Sequence, residues 1–342
     1  MRIKSWPLMA VGLICLLASC GGSDGGGIGG TGKTHTIEND GLILGTVNGF
    51  GSIVINDQRF DTQNAEFIVD GKVASITDLQ IGMNIGARVN FTKKQASEVV
   101  YQPLVAGPID STNGTFTTLS ILGQSILITA ETVLDGLTND ALRPGLVIEV
   151  SGTRDSMQSI VADYISIAPA DTPHYTVGVI NQVSPENYTA LLSGTVINFP
   201  NAGDPSNSTA EPYGQLMPGN RVRVEAPRNP TVVQTNGSGV SIVRPESANG
   251  LTVTNIQTVR NFRYTRGSRV DITGRINTFS SDGIFIVSGV TVFTDVTTKF
   301  YSKYGILIDN PILTDKETVM LEGTAIGPHR ITAQKITLTD RL

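Results

Sequence analysis

Cysteine is almost missing from this chain: 342 residues carry two, Cys15 and Cys20. No disulfide framework can staple such a protein, so its stability has to come from buried apolar area. Histidine is equally scarce, with His35, His174 and His329 standing far apart and no second ligand at metal spacing. A histidine-built metal centre is therefore not expected, and neither is a cofactor. Charged residues make up only 16%, with 25 basic against 30 acidic, which argues against a general binder of nucleic acid or of anionic surfaces. No apolar run reaches the roughly 20 residues that cross a bilayer core as a helix, and no long amphipathic helical pattern is present.

What the chain has instead is 37 Gly and 16 Pro, a composition of many turns. Its length allows two or more cores.

The first residues read MRIKSWPLMAVGLICLLASC. Arg2 and Lys4 precede a short apolar stretch from Leu8 to Ala18, and Leu17-Ala18-Ser19-Cys20 follows the bacterial lipobox. That order of parts predicts a cleaved signal peptide over 1–19 and diacylation of Cys20, which makes the lipid bilayer the first expected partner. Gly21 after Cys20, where an inner-membrane retention signal has Asp, points to the outer membrane. Loss of Arg2 and Lys4 leaves 23 basic residues and a net charge near −7.

Residues 27–34, GIGGTGKT, satisfy the phosphate-loop pattern at every fixed position. The pattern works only between a buried strand and a helix whose N-terminus faces the phosphates. Here a Gly/Ser-rich coil precedes it and an alternating, strand-like HTIENDGLILGTV follows. The segment 20–37 is read as a flexible tether, with no nucleotide expected.

Four times the chain shows Leu-x-x-Gly followed by alternating apolar residues: Leu79 to Ala87, Leu142 to Val150, Leu216 to Val224 and Leu313 to Leu321, with Lys316 in the glycine position of the last. A Gly-x-(Val/Ile) start precedes each, at Gly45, Gly107, Gly178 and Gly274, and the offsets to the Gly/Lys position are 37, 38, 41 and 42. Self-similarity at so regular a spacing means a tandem array. Within a unit the hydrophobic period is two. In the first, GTVNGF, SIVINDQRF, AEFIVDG, IGARVNF and ASEVVY read as five strands between turn signals. Five short strands per unit predict an all-β protein of about four small OB-like five-stranded barrels, a closed form that leaves no exposed edge.

The stretch GTVNGFGSIVINDQRFDTQNAEFIVDG with LQIGMNIGARV carries Gly45, Phe50, Gly51, Ser52, Ile53, Asn56, Phe60, Asp61 and Thr62 in a pattern close to G-x-V-x-x-F-G-S-I-x-V-N-G-x-x-F-D-T. In this it resembles a domain of unknown function found in tandem in bacterial secreted proteins and lipoproteins. Asp57 stands where that pattern commonly has Gly, and the later units lack FGS and FDT. The resemblance implies an OB-like barrel and no activity or catalytic residues.

The boundaries expected are 1–19 signal peptide, 20–37 tether, 38–103 unit 1, 104–170 unit 2, 171–265 unit 3 with insertions and 266–342 unit 4. Unit 3 is long because of Phe199 to Tyr213 and the stretch between Arg228 and Arg266. The sharpest binding candidate is RNFRYTRGSR, where Arg260, Arg263, Arg266 and Arg269 alternate with Phe262 and Tyr264. Cations interleaved with aromatics suit an anionic glycan or single-stranded nucleic acid, and outside the cytoplasm the glycan is the better candidate. No catalytic constellation is nominated, and Asp61 is read as a turn residue. The function expected is a non-catalytic, membrane-anchored envelope module that binds a protein or glycan, drawn as a rod of barrels. The alternatives are a hydrolase or transferase with its site in the unit-3 insertions, or an anionic-glycan binder through Arg260 to Arg269.

Overall fold

The computed structural model describes residues 40–199, 216–227, 233–236, 239–242, 250–259, 262, 264–280, 282–309, 311–314 and 317–339. The signal peptide, the tether, Cys20, most of the Phe199–Tyr213 insertion, Arg260, Arg263 and Lys316 lie outside them. The described chain is all-β, with three short 3₁₀ turns and no α-helix.

Barrel 1 consists of β1 (Asp40–Gly49), β2 (Ile53–Ile55), β3 (Gln58–Phe60), β4 (Glu66–Val69), β5 (Lys72–Ala74), β6 (Asn84–Asn90) and β7 (Gln95–Tyr101). β1 pairs antiparallel with both β2 and β6, β2 with β3 and β6 with β7. The ring closes where Asp61 bridges Gln95 in parallel, and β4 continues along β7 in that direction. Five strand positions in the order 1-2-3-5-4-1 make the small Greek-key barrel that the periodicity called for.

The other three barrels repeat this ring. Barrel 2 has β8 (Val105–Pro108), β9 (Ser111–Thr112), β10 (Thr118–Ile121), β11 (Gln124–Leu127), β12 (Val133–Asp135), β13 (Val147–Arg154) and β14 (Ile160–Ile167). Barrel 3 has β15 (His174–Ser184), β16 (Thr189–Leu192), β17 (Thr195–Asn198), β18 (Arg221–Ala226), the hairpin β19 (Val233–Asn236) and β20 (Gly239–Ile242), then β21 (Leu251–Thr252) and β22 (Asn255–Thr258). Barrel 4 has β23 (Arg269–Ser280), β24 (Ile284–Val287), β25 (Val290–Phe293), β26 (Lys299–Ser302), β27 (Thr318–Gly327) and β28 (Arg330–Leu338). In each, a strand of the first half runs parallel to one near the end of the barrel: β11 to β14, β17 to β21 and β25 to β28.

The repeat read from the sequence is a backbone clamp. Gly82, Gly145 and Gly219 adopt φ of 96°, 93° and 92° and donate N–H to Val47 O at 2.9 Å, Ile109 O at 2.9 Å and Ile180 O at 2.8 Å. Those acceptors are the apolar residues of the Gly-x-(Val/Ile) starts, and each donates back to the residue after the glycine: Val47 to Met83, Ile109 to Leu146, Ile180 to Asn220. Barrel 4 keeps the return bond, Ile276 N–H to Glu317 O at 2.8 Å, beside Lys316. The positive φ explains the glycine, because a Cβ there is strained.

One hairpin per unit was missed in the sequence. SIVINDQRF is two strands, not one, because Asn56 and Asp57 take φ of 50° and 60° and reverse the chain. Leu122-Gly123, Ser193-Gly194 and Ser288-Gly289 do the same, all with positive φ at both positions. Two left-handed residues in a row are what a two-residue turn needs to match strand twist. This accounts for the place of Asp57, since the family pattern's Gly would meet the same demand without a Cβ. The first turn residue packs against the Gly-x-(Val/Ile) glycine within the first strand: Asn56 Nδ2–H donates to Leu44 O at 2.8 Å, and Val179 N–H donates to Ser193 Oγ at 2.9 Å. A Cβ on Gly178 would lie 2.7 Å from that Ser193 oxygen.

The units are not strung out as a rod. Leu42–Leu44 of β1 pairs in parallel with Val270–Ile272 of β23, so barrels 1 and 4 share one sheet, while Val105 and Ala106 of β8 pair with Tyr175 and Thr176 of β15. The reason lies in strand length. β1 spans 10 residues, and β2 covers only its C-terminal part; β23 spans 12 and is covered likewise by β24. The uncovered halves would be open edges, and barrels close them on one another. Glu38–Leu342 accordingly forms one compact unit.

Barrel interiors are filled. Val47, Ile53, Ile55 and Phe60 of barrel 1 are fully buried, and barrels 2 and 3 merge their cores through Val105, Tyr175 and Val177. Alternation along each strand produces this, with inward positions apolar and outward ones polar.

Candidate functional site

Among the described residues of the arginine and aromatic stretch, 262 and 264–268 lie outside any strand; Arg266 and Gly267 form a turn leading into β23. It joins barrel 3 to barrel 4, and its described members are divided among separate tasks. The Phe262 ring lies against Gly86 and Leu44 of barrel 1, where an added Cβ at Gly86 would strike it. Tyr264 packs on the barrel 4 core, its ring 4.8 Å from that of His329. Arg266 is exposed. Arg269 grips Asp271 with two bonds of 2.7 Å, reaches Glu322 at 2.9 Å and lies 4.3 Å from the centre of the Phe91 ring. Arg260 and Arg263 lie outside the described residues. Both described aromatic residues are half-buried and pack against neighbouring barrels.

A denser cluster forms where barrels 1, 2 and 3 meet, and it comes from residues the sequence did not single out. Strand β18 reads RVRVEA: Val222, Val224 and Ala226 fill barrel 3, which turns Arg221, Arg223 and Glu225 outward. Outward here means into a neighbour. Arg223 forms a short ion pair with Asp70 of barrel 1 and lies 3.4 Å from Glu225. Its guanidinium stands 3.6 Å from the centre of the Tyr175 ring. Gln102 donates to the same Asp70 oxygen at 2.9 Å, and the Tyr175 hydroxyl reaches Glu149 of barrel 2 at 3.4 Å.

Burial raises the Glu149 pKa, and the like charge of Asp70 adds to it. Tyr101 and Tyr175 are pushed up by burial first, so both phenols stay neutral donors. Beside this cluster Asn84 of barrel 1 donates to Asp163 at 2.9 Å, and burial pushes the Asp163 carboxyl up to about 6. Asp163 is the extra residue of a bulge, with Ser151 opposite Tyr164 and Gly152 opposite Ala162, and that bulge aims it sideways at barrel 1. The pairings cross barrel boundaries, so their chemistry is that of a joint. The signal that could have found them was the charged face of RVRVEA, but Arg223's partner Asp70 comes from 153 residues away, and the neighbouring Asn84–Asp163 pair spans 79.

Asp61 accepts the Gln63 N–H at 3.0 Å, the turn role read for it in the sequence. Among the described residues no group of three or more His, Cys, Asp or Glu is placed to hold a metal ion, and no helix is long and apolar enough to cross a membrane.

Two barrels match a known family. Residues 106–166 and 273–337, the bodies of barrels 2 and 4, fit the model of the domain of unknown function DUF5666. A tandem DUF5666 array agrees with the repeat; the first matched segment carries both bonds of the clamp, the second its return bond, and both carry the two-residue turn. The resemblance noted in the sequence rested on barrel 1, whose GTVNGFGSIVIND motif lies outside both DUF5666 matches. No curated protein matches the chain.

Proposed function

We propose that the mature protein is a non-catalytic, lipid-anchored module of the bacterial cell envelope, held to the outer membrane through Cys20 and presenting its barrel surfaces to an envelope protein or glycan. The observation that supports it most is how the barrels use their polar groups. Interiors are filled with apolar side chains, while Asp70, Glu149, Tyr175, Arg223 and Asp163 are engaged across barrel boundaries. Such an arrangement links barrels 1, 2 and 3, and the β1–β23 pairing adds barrel 4, as a presenting scaffold requires. The lipobox and the Gly-rich tether supply the address.

The test has two parts. Cys20→Ala is expected to leave the membrane fraction and to lose the mass of the acyl chains; unchanged fractionation and mass would remove the anchor from the proposal. A pull-down from native envelope with the mature chain is expected to recover a specific partner. Turnover of an ester or glycosidic substrate by the purified chain would replace the scaffold reading with an enzyme.

A further inference from the structure

The mature chain is acidic, near −7, but its charges are not evenly spread. In the sheet that barrels 1 and 4 share, β6, β1, β23 and β27 lie side by side, so the ends of β6 and β27 open beside the starts of β1 and β23. Asp40, the first residue of β1, pairs with Asn90, the last of β6, which sets the 91–94 turn beside the point where β1 begins. On the other flank, a Cβ added to Gly41 would lie 2.5 Å from Arg269 O, so the Arg266–Gly267 turn stands next to the same point. Gly267 N–H donates to Ala325 O at 2.8 Å and Ala325 N–H to Ser268 O at 2.9 Å, and two residues past Ala325 the chain enters the Pro328-His329 turn between β27 and β28. Three turns thus border the start of β1.

These turns carry cations. Lys93, Lys94, Arg266 and Arg330, the first residue of β28, are all exposed. Lys94 lies 5.5 Å from the centre of the Phe60 ring and Arg330 5.0 Å from that of Phe293, contacts that fix the stems and leave the charges at the surface. The acids of this end are engaged locally. Asp271 accepts from Arg269, Glu322 accepts from Arg269 and Lys335, Asp61 accepts the Gln63 N–H, and Asp40 is half-buried. Ile326 and Pro328, both exposed, place apolar groups between the cations. Like charges in neighbouring turns repel and add nothing to the fold.

We propose that this end of barrels 1 and 4 is a docking face for the anionic headgroups of a phospholipid bilayer, engaged through Lys93, Lys94, Arg266 and Arg330. The occupant follows from where the chain outside the described residues ends. Twenty residues run from Cys20 to Asn39, and the chain enters the described body at Asp40, among the three turns. A Gly-rich stretch of that length averages roughly 25 Å from end to end, so a bilayer that holds Cys20 lies within reach of this end. Cations brought within a Debye length of an anionic leaflet are attracted to it, and Ile326 adds apolar contact at headgroup level. The occupant rests on the lipid-anchor reading proposed above. What the docking face adds is an orientation, with the β1 end of the shared sheet towards the lipid.

The mature chain carrying Cys20→Ala has no acyl group, so its binding reads the docking face alone. It is sedimented with vesicles of phosphatidylcholine, or of phosphatidylcholine mixed with phosphatidylglycerol. Binding is expected to the mixed vesicles only, and it should vanish in 1 M salt, where the Debye length falls to about 3 Å. Lys93→Glu/Arg266→Glu should weaken binding roughly tenfold or more with an unchanged thermal midpoint. Lys303→Glu is the control, because Lys303 follows Ser302 at the other end of the barrel 4 sheet, where Ser302 pairs with Leu338; its binding should match the parent. No binding to the mixed vesicles, or equal losses in the two variants, overturns the proposal. So does capture of soluble dextran sulfate without vesicle binding, because the occupant would then be a free polyanionic glycan. Failure of the anchor reading shows separately, as an unchanged mass of Cys20→Ala made in cells.

Discussion

The Arg223 guanidinium of barrel 3 lies 3.6 Å from the centre of the Tyr175 ring while forming a short ion pair with Asp70 of barrel 1. Tyr175 is itself fully buried between barrels 2 and 3, so one arginine links three units. Removing it as Arg223→Ala leaves Asp70 without its cation and opens a gap over the Tyr175 ring. A loss of about 3 kcal/mol in urea unfolding is expected. The double variant Asp70→Leu/Arg223→Met should recover most of that loss, because the burial cost of both charges is removed together. A double variant as unstable as the single one would show that the ion pair itself stabilises the joint.

Gly82 and Gly145 take the same clamp position with φ of 96° and 93°, but their surroundings differ. A Cβ on Gly82 would fall 2.6 Å from Val133 of barrel 2, whereas one on Gly145 would meet nothing within 4 Å. Gly145→Ala should therefore cost about 1 kcal/mol, the backbone penalty alone. Gly82→Ala should cost roughly 2–3 kcal/mol, since overpacking is added to that penalty. Equal losses in thermal or denaturant unfolding would refute the steric part.

Asp163 supplies a pH dependence of known sign. Its folded pKa of about 6 lies above the unfolded value near 3.8, so the folded chain holds the extra proton between them. The associated stability is present below the unfolded value and is lost as pH rises through about 6. Asp163→Asn should raise stability at pH 7 by on the order of 1–2 kcal/mol, allowing for solvent screening at a half-buried site. The variant should also flatten the stability profile between those two values. Unfolding curves across that range, for parent and variant, decide it.

Barrel 4 covers the N-terminal half of the β1 edge through Leu42–Leu44 and Val270–Ile272. A chain ending after Thr258 lacks that cover and should self-associate through the bared edge. Light scattering would detect it, and a Lys placed at Ile43 of the truncated chain is not a usable control because Ile43 is fully buried. Thr46→Lys, nearer the outward face, should reduce the association. A truncated chain that stays monomeric would show that the edge is covered from within barrel 1.

Much of the fold was legible before any coordinates. The offsets between Gly45, Gly107, Gly178, Gly274 and their partner Gly or Lys counted the barrels, since both ends of the clamp are backbone bonds at set places in each ring. Alternation found the strands. It passed through the Asn56-Asp57 turn because that turn is only two residues long and the apolar period resumes after it. The candidate site was less accessible. RNFRYTRGSR reads as a polyanion stretch; in the structure Phe262 and Tyr264 are half-buried against neighbouring barrels and Arg269 is paired with Asp271.

By itself the amino-acid sequence determined the strand period, the repeat and the all-β barrel form, because period-two burial and positive-φ turns are local properties of the chain. Only the tertiary structure decided which barrels share a sheet and which charges meet. Edge pairing between β1 and β23 joins residues more than 200 positions apart, and no local pattern carries the identity of the partner edge. Charge compensation is decided in the same way. Arg221 and Arg223 are alike in RVRVEA, and only the placement of Asp70 of barrel 1 beside Arg223 makes that one a joint.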